Sequence, residues 1–173
     1  MRTIKLQVFC ATVAMLALVS VSGAEQFKAP ATAPVPPQVA AAHSVFIANA
    51  GGESLDQITD QTVFNGGPDR HYNEFYAAMK AWGRYQIVSS PAAADLVFQI
   101  SWNLSDTGLK LPVLGQLRLL VIDSKTNVTL WSFTEYVRGA VLLGNRDKNF
   151  DYAMTAIVNR MKALEAPAPA AAQ

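Results

Sequence analysis

Cysteine and histidine are scarce in this chain. There is one cysteine, Cys10, and there are two histidines, His43 and His71. Cys10 lies within the N-terminal apolar run, so the chain beyond residue 24 has no thiol for a disulfide, for thiol catalysis or for a cysteine-held metal. The histidines form no His-x-His or His-x-x-x-His pair, and a metal site needs converging ligands with supporting partners. Both are expected at the solvated surface. No Gly-x-Ser-x-Gly motif is present, which removes the usual signature of a serine nucleophile on a strand–helix elbow. The pairs Gly51-Gly52 and Gly66-Gly67 lack the spacing of a P-loop or a dinucleotide fingerprint. Charged residues make up only 16% of the chain and no basic stripe is visible, so a nucleic-acid footprint is not supported. The expectation is a protein with no metal and no cofactor, and not an enzyme.

The first 24 residues, "MRTIKLQVFCATVAMLALVSVSGA", hold what the rest lacks. Arg2 and Lys5 precede an apolar run from Leu6 to Val21, and Ser22-Gly23-Ala24 offers small residues at a cleavage site. That is the layout of a secretory signal peptide, with a retained anchor as the alternative, since the run falls short of the ~20 residues of a comfortable span. Cys10 sits too early to be the acylated cysteine of a lipoprotein signal. The expected location is therefore exported, periplasmic or secreted, with no stable membrane span after cleavage. Loss of this segment leaves 12 basic against 13 acidic residues, a net charge near −1.

Residues 25–42 include "KAPATAPVPPQVAAA", a Pro/Ala-rich stretch without apolar periodicity, read as an extended linker. Residues 166–173, "APAPAAAQ", are its disordered counterpart at the other end. The folded domain is expected over residues 43–165. "SVFIAN" reads as its first strand. A Ser54-x-x-Gln57 capping box could start a single helical turn after it. From Asp69 an amphipathic helix is expected, with Tyr72, Phe75, Tyr76, Met79 and Trp82 at three- and four-residue spacing and Gly83 as a left-handed C-cap. "RYQIV", "ADLVFQISW", "QLRLLVID" and "VTLWSFTEYV" read as four more strands, and Leu96, Phe98, Ile100 and Trp102 alternate with period two. A last helix is expected to start at Asn149 as N-cap, with Asp151 in its first turn and a stripe of Phe150, Met154, Ile157, Val158, Met161 and Leu164. The order β-α-β-β-β-β-α predicts an α+β fold. Two helices would share one face of a mostly antiparallel sheet of about five strands, and the first β-α-β unit could be parallel with a right-handed crossover.

The stretch "VIDSKTNVTLW" carries an acid, a sequon at Asn127-Val128-Thr129 and a tryptophan, yet it reads as a hairpin. Asp123 can accept backbone amides in the turn, and Asn127 tolerates the positive φ that a bulged hairpin needs. Trp131 is expected to pack against a helix. Asp56 and Asp60, with Glu53 nearby, are four apart and would suit an acid-dependent hydrolase, but three acids in a polar Gly-flanked segment read first as a solvated face. In "GAVLLG", Val141, Leu142 and Leu143 favour a buried strand extension, with an exposed patch for a partner as the other reading. Tyr76 is the aromatic most apt to leave the helix stripe. Tyr76, Val141, Leu142 and Leu143 are the candidate interaction surface.

The series "WGRYQIV…ADLVFQI…LRLLVIDSKTNVTLW", followed by an amphipathic helix, resembles a family of small exported bacterial domains of unknown function, often lipoproteins. Their pattern is a Gly-aromatic strand, an Ala-Asp-Leu strand and an Asp-x-x-Thr-Gly hairpin ending in a Leu/Val-Trp pair. The resemblance spans Trp82 to Leu164. The broad architecture looks like that of the TolB amino-terminal domain and of the periplasmic domain of the curli secretion channel. It departs from the family in lacking a lipobox cysteine and in carrying Asn127 where glycine is usual. The resemblance implies an envelope protein without known catalysis. The lack of a catalytic constellation in an exported domain with full core patterning points to protein–protein interaction with an unknown envelope protein. The alternative is a small-ligand-binding module with a cleft near Tyr76 and the 104–115 loop.

Overall fold

The computed structural model describes residues 33–52, 63–104 and 113–165. The capping box at Ser54 and Gln57, the acids Glu53, Asp56 and Asp60, residues 1–24, most of the 104–115 loop and the 166–173 tail lie outside them.

Alternation of apolar residues with period two builds a five-stranded sheet in the order β2-β1-β3-β4-β5. The strands are β1 (Ser44–Gly52), β2 (Gln86–Ile87), β3 (Leu96–Leu104), β4 (Val113–Asp123) and β5 (Thr129–Arg138). The helices are α1 (Pro37–Ala41), α2 (Arg70–Trp82) and α3 (Leu143–Glu165), and α2 and α3 pack on one face of the sheet. The sheet is mixed and not closed. β1 pairs in parallel with both β2 and β3, while β3–β4 and β4–β5 are antiparallel. The α+β fold with both long helices on one face is as expected, and the parallel β1-α2-β2 unit lies at one side of the sheet.

One face of every long strand is dry. Val45, Ile47, Leu96, Phe98, Ile100, Trp102, Leu117, Leu119, Val121, Phe133 and Val137 are all buried. They meet Phe75 and Met79 of α2 and Phe150, Met154, Ile157 and Met161 of α3 in one cluster, with Trp131 half-buried against it. Each such side chain contributes ~1.5–3 kcal/mol relative to exposure.

Several boundaries differ from the sequence reading. Part of the expected linker is helical: Pro37–Ala41 forms α1, its Val39 is fully buried, and Arg84 Nη1 donates to Ala42 O across 3.2 Å. Composition marks this stretch as unable to fold alone, but one buried valine and a cation on its carbonyls fix it to the domain. α3 starts six residues earlier than Asn149, because Leu142 O already accepts Asn145 and Arg146 amides at 3.1 Å. Asn149 is then inside the helix, where its amide donates to Arg138 O at 3.0 Å. β2 keeps only two residues, because the chain turns after Val88 to pass beneath β1.

Candidate functional site

The C-terminal end of β1 meets the first turn of α2 in a polar cluster. Asn49 Nδ2 donates to Asp69 Oδ1 at 2.7 Å, and Asn49 Oδ1 accepts the Gly51 amide at 3.0 Å. A carboxylate only accepts and a backbone amide only donates, so the orientation of the Asn49 amide is fixed. Its oxygen also faces His71 Nε2 at 3.0 Å. His71 is 1% exposed, a correction to the expectation of a solvated surface histidine. The buried row of α2 is His71, Phe75 and Met79, while Tyr72, Tyr76 and Trp82 are half-buried, so the helix is turned slightly from the expected aromatic stripe. Burial pushes the His71 pKa down, against the opposing pull of the Pro68 carbonyl, Asp69 and the Gly51 carbonyl. A methyl on Gly52 would stand 3.1 Å from His71 Cε1, so glycine is what allows the ring to seat there.

One residue earlier, Arg70 turns the other way. Its guanidinium meets Glu74 Oε1 at 2.5 Å, Asp147 Oδ1 at 2.6 Å and Asp151 Oδ1 at 2.5 Å, and it donates to Asn65 O at 3.1 Å. It also lies 4.5 Å from the Phe150 ring centroid. Burial disfavours the cation, but the bonds to Glu74 and Asp147 outweigh it and raise its pKa. Burial likewise opposes ionisation of Asp147, and the bonds from Asn65 and Arg70 outweigh that and hold its carboxyl below the usual range. The adjoining cleft of ≈ 420 Å³ is lined by Asn65, Gly66, Arg70, Asn73, Glu74 and Asp147. Most of its charged groups already satisfy one another, so this is a tie between α2, α3 and the 63–67 segment. No group of three or more potential ligands for a metal ion occurs among the described residues.

The apolar candidates fall elsewhere. Tyr76 packs against the core and tilts on Tyr72, with ring centroids 6.1 Å apart. Leu143 is half-buried as the first residue of α3. Val141 is 96% exposed and Leu142 66% exposed, in a bend between β5 and α3, so the favoured reading of a buried strand extension is overturned. β5 ends at Arg138, and the early start of α3 leaves these two side chains no core to reach. Two further exposed aromatics, which the sequence reading did not single out, are Tyr136 on β5 at 64% and Tyr152 on α3 at 72%. Tyr136 and Tyr152 line a groove of ≈ 360 Å³ with Glu135, Arg138, Asn149, Ala153 and Ala156. The signal for Tyr152 was its place opposite the Met154–Ile157–Met161 stripe, where a large aromatic needs a reason to be.

No protein-family model matches the sequence, and no curated protein is similar to it. Solved structures similar in fold do exist. The PelC dodecamer from Paraburkholderia phytofirmans is 15% identical, with 80% of this chain and 96% of that one covered and a TM-score of 0.45. A protein of the DUF330 family from Xanthomonas campestris is 15% identical, covering 78% of this chain and 89% of that one, at a TM-score of 0.48. A DUF4136 family protein from Bacteroides thetaiotaomicron is 15% identical, covering 76% and 91%, at 0.47. These are small bacterial domains, as the resemblance read from the sequence implies. Among the described residues no helix is long and apolar enough to cross a membrane.

Proposed function

We propose that this chain is an exported envelope protein that works by binding another protein and not by catalysis. The observation that carries the reading is the exposed pair Val141 and Leu142, consecutive in the bend between β5 and α3. A protein with a full core has no folding reason to leave two consecutive large apolar side chains in water, and exposed apolar surface of this kind is a common mark of a docking surface. The buried histidine supports the same reading from the other side. His71 is sealed among Asn49, Gly52 and Pro68, where it serves packing and has no opening to a substrate.

The test is a Val141→Asp/Leu142→Asp variant compared with the parent in affinity capture from the envelope fraction. Both positions are exposed, so the thermal midpoint is expected to stay within a degree or two, about 0.5 kcal/mol. The variant is expected to lose the captured partner. Equal capture by the two proteins, or turnover by the purified protein on an esterase, phosphatase and glycosidase panel, would overturn the proposal.

A further inference from the structure

The groove between β5 and α3 has the make-up of a ligand site of its own. β5 contributes Glu135, Tyr136 and Arg138 to it, and α3 contributes Asn149 and Tyr152. The small side chains of Ala153 and Ala156 leave ≈ 360 Å³ open between them. That is the lower end of the ~300–1,000 Å³ typical of small-ligand clefts.

Bonds already made narrow what can fill it. β5 is the last strand of the sheet, and such an edge commonly takes up a peptide as an added strand. Here Arg160 Nη1 donates to Thr134 O at 3.2 Å, and Asn149 Nδ2 donates to Arg138 O at 3.0 Å. The edge carbonyls on both sides of Tyr136 are therefore taken, and a peptide strand would have to displace two side chains. A ligand of this groove binds through side chains instead.

Those side chains suit a sugar. Tyr136 and Tyr152 are 64% and 72% exposed, and no described residue bonds either hydroxyl. The negative face of an aromatic ring attracts the polarised C–H groups on the flat side of a pyranose. Sugar hydroxyls also need polar partners held in place. Asn149 is fixed by its bond to Arg138 O, which leaves its Oδ1 free to accept. Glu135 is fixed by Arg160, which bonds Oε1 at 2.6 Å and leaves Oε2.

The charge says which sugar. Arg160 neutralises Glu135, whereas Arg138 is exposed and has no acidic partner among the described residues. The groove thus carries one positive charge in excess, on a guanidinium that can hold a carboxylate by two parallel bonds. We infer that the β5–α3 groove binds an acidic oligosaccharide, with Tyr136 and Tyr152 stacking on sugar rings and Arg138 pairing with a uronate carboxylate. This site uses neither Val141 nor Leu142 and is independent of the protein partner proposed above.

The test titrates the whole chain, as its own cells process it, with a hexamer of galacturonic acid and with an uncharged hexamer of glucose, read by calorimetry. The acidic hexamer is expected to bind with a sub-millimolar Kd that weakens as salt rises, and the glucose hexamer roughly tenfold more weakly. Tyr136→Thr keeps a strand-forming residue and Tyr152→Gln a helix-forming one, so the thermal midpoint is expected to hold while each weakens the acidic hexamer roughly tenfold. Arg138→Gln is expected to bind the two hexamers alike and to lose the salt dependence. Val141→Asp/Leu142→Asp is expected to bind the acidic hexamer as the parent does, so failure of the partner reading and failure of this one are told apart. No binding of the acidic hexamer at millimolar concentration overturns the inference. So does binding that both tyrosine variants retain, or equal affinity of the parent for the two hexamers.

Discussion

Arg70 Nη1 lies 2.6 Å from Asp147 Oδ1, and that contact joins the first turn of α2 to the second turn of α3. The same guanidinium bonds Glu74 and Asp151, so one cation holds three carboxylates around a side chain that is only 12% exposed. Arg70→Met removes the cation and leaves three acids facing one another. The loss is expected to be about 2–4 kcal/mol in urea unfolding, and larger at low salt. The paired variant Arg70→Met/Asp147→Leu is expected to regain part of it. A loss under 0.5 kcal/mol in the single variant would mean that the network is a surface ornament.

Asp95, in the Ala-Asp-Leu stretch, closes the sheet at its lower end. Its Oδ2 accepts the His43 amide at 2.9 Å, and the Ser44 amide and hydroxyl at 3.0 Å each. These bonds hold its carboxyl below the usual carboxylate range. A depressed pKa gives stability that is present above the unfolded value of ~3.9 and is lost as pH falls through the folded one. Asp95→Asn is expected to cost about 1–2 kcal/mol at pH 7 and to flatten the acid limb of the stability curve. Parallel acid limbs for the two proteins would refute the role.

His71 has the same sign at a higher pH. Its pKa is lowered in the fold, so below ~6.5 the unfolded chain takes up a proton that the buried ring refuses. Stability is expected to fall as pH drops from about 6.5 toward the folded pKa, by up to ~1.4 kcal/mol per unit. Denaturant unfolding at pH 7.5, 6.5 and 5.5 checks this, with His71→Gln as the comparison in which that slope should vanish. His43 is retained in both proteins and cancels.

Asn127 has φ +56, the only positive value at a described non-glycine residue, and its amide donates to Asp123 O at 2.9 Å. Asn127→Gly is expected to be neutral or stabilising. Asn127→Val, a β-branched residue in the left-handed region, is expected to cost about 1–3 kcal/mol. A thermal midpoint for the valine variant equal to the parent would contradict this account of the hairpin.

Among the described glycines, Gly115 has the tightest surroundings. A methyl there would stand 2.5 Å from Trp102 Cη2 and closer still to the Asn103 carbonyl. Since a backbone carbonyl cannot swing aside, Gly115→Ala is expected to cost about 1–3 kcal/mol and to disturb Trp102 fluorescence. An unchanged emission spectrum and midpoint would show that β4 can shift at this point.

Several elements were legible in the sequence for local reasons. The Leu96–Phe98–Ile100–Trp102 alternation shows which face of β3 is dry, and all four are buried. Gly83 adopts φ +68 as the C-cap of α2, and Asp123 Oδ1 accepts the Lys125 and Thr126 amides in the turn. Each follows from the residue's own chemistry and that of its nearest neighbours. The misses have long-range causes. His71 is buried because the end of β1 folds over the first turn of α2, at a separation of 22 residues. Val39 is buried although its neighbours are prolines and alanines, because the domain offers a site for it. Val141 and Leu142 are exposed although they are apolar, because β5 ends at Arg138 and α3 begins at Leu143.

By itself the sequence determined the order of the five strands and the two long helices, the apolar face of the strands and the turn between β4 and β5. These depend on periods of two and 3.6 and on residues with unusual backbone freedom. Only the tertiary structure decided the strand order, with β1 between β2 and β3, and the free edge at Tyr136. Pairing order depends on which strands the connections can bring together, and an edge exists only once every other strand has found its neighbours. The candidate site belongs to that second class: it is defined by what the finished sheet and helix leave uncovered.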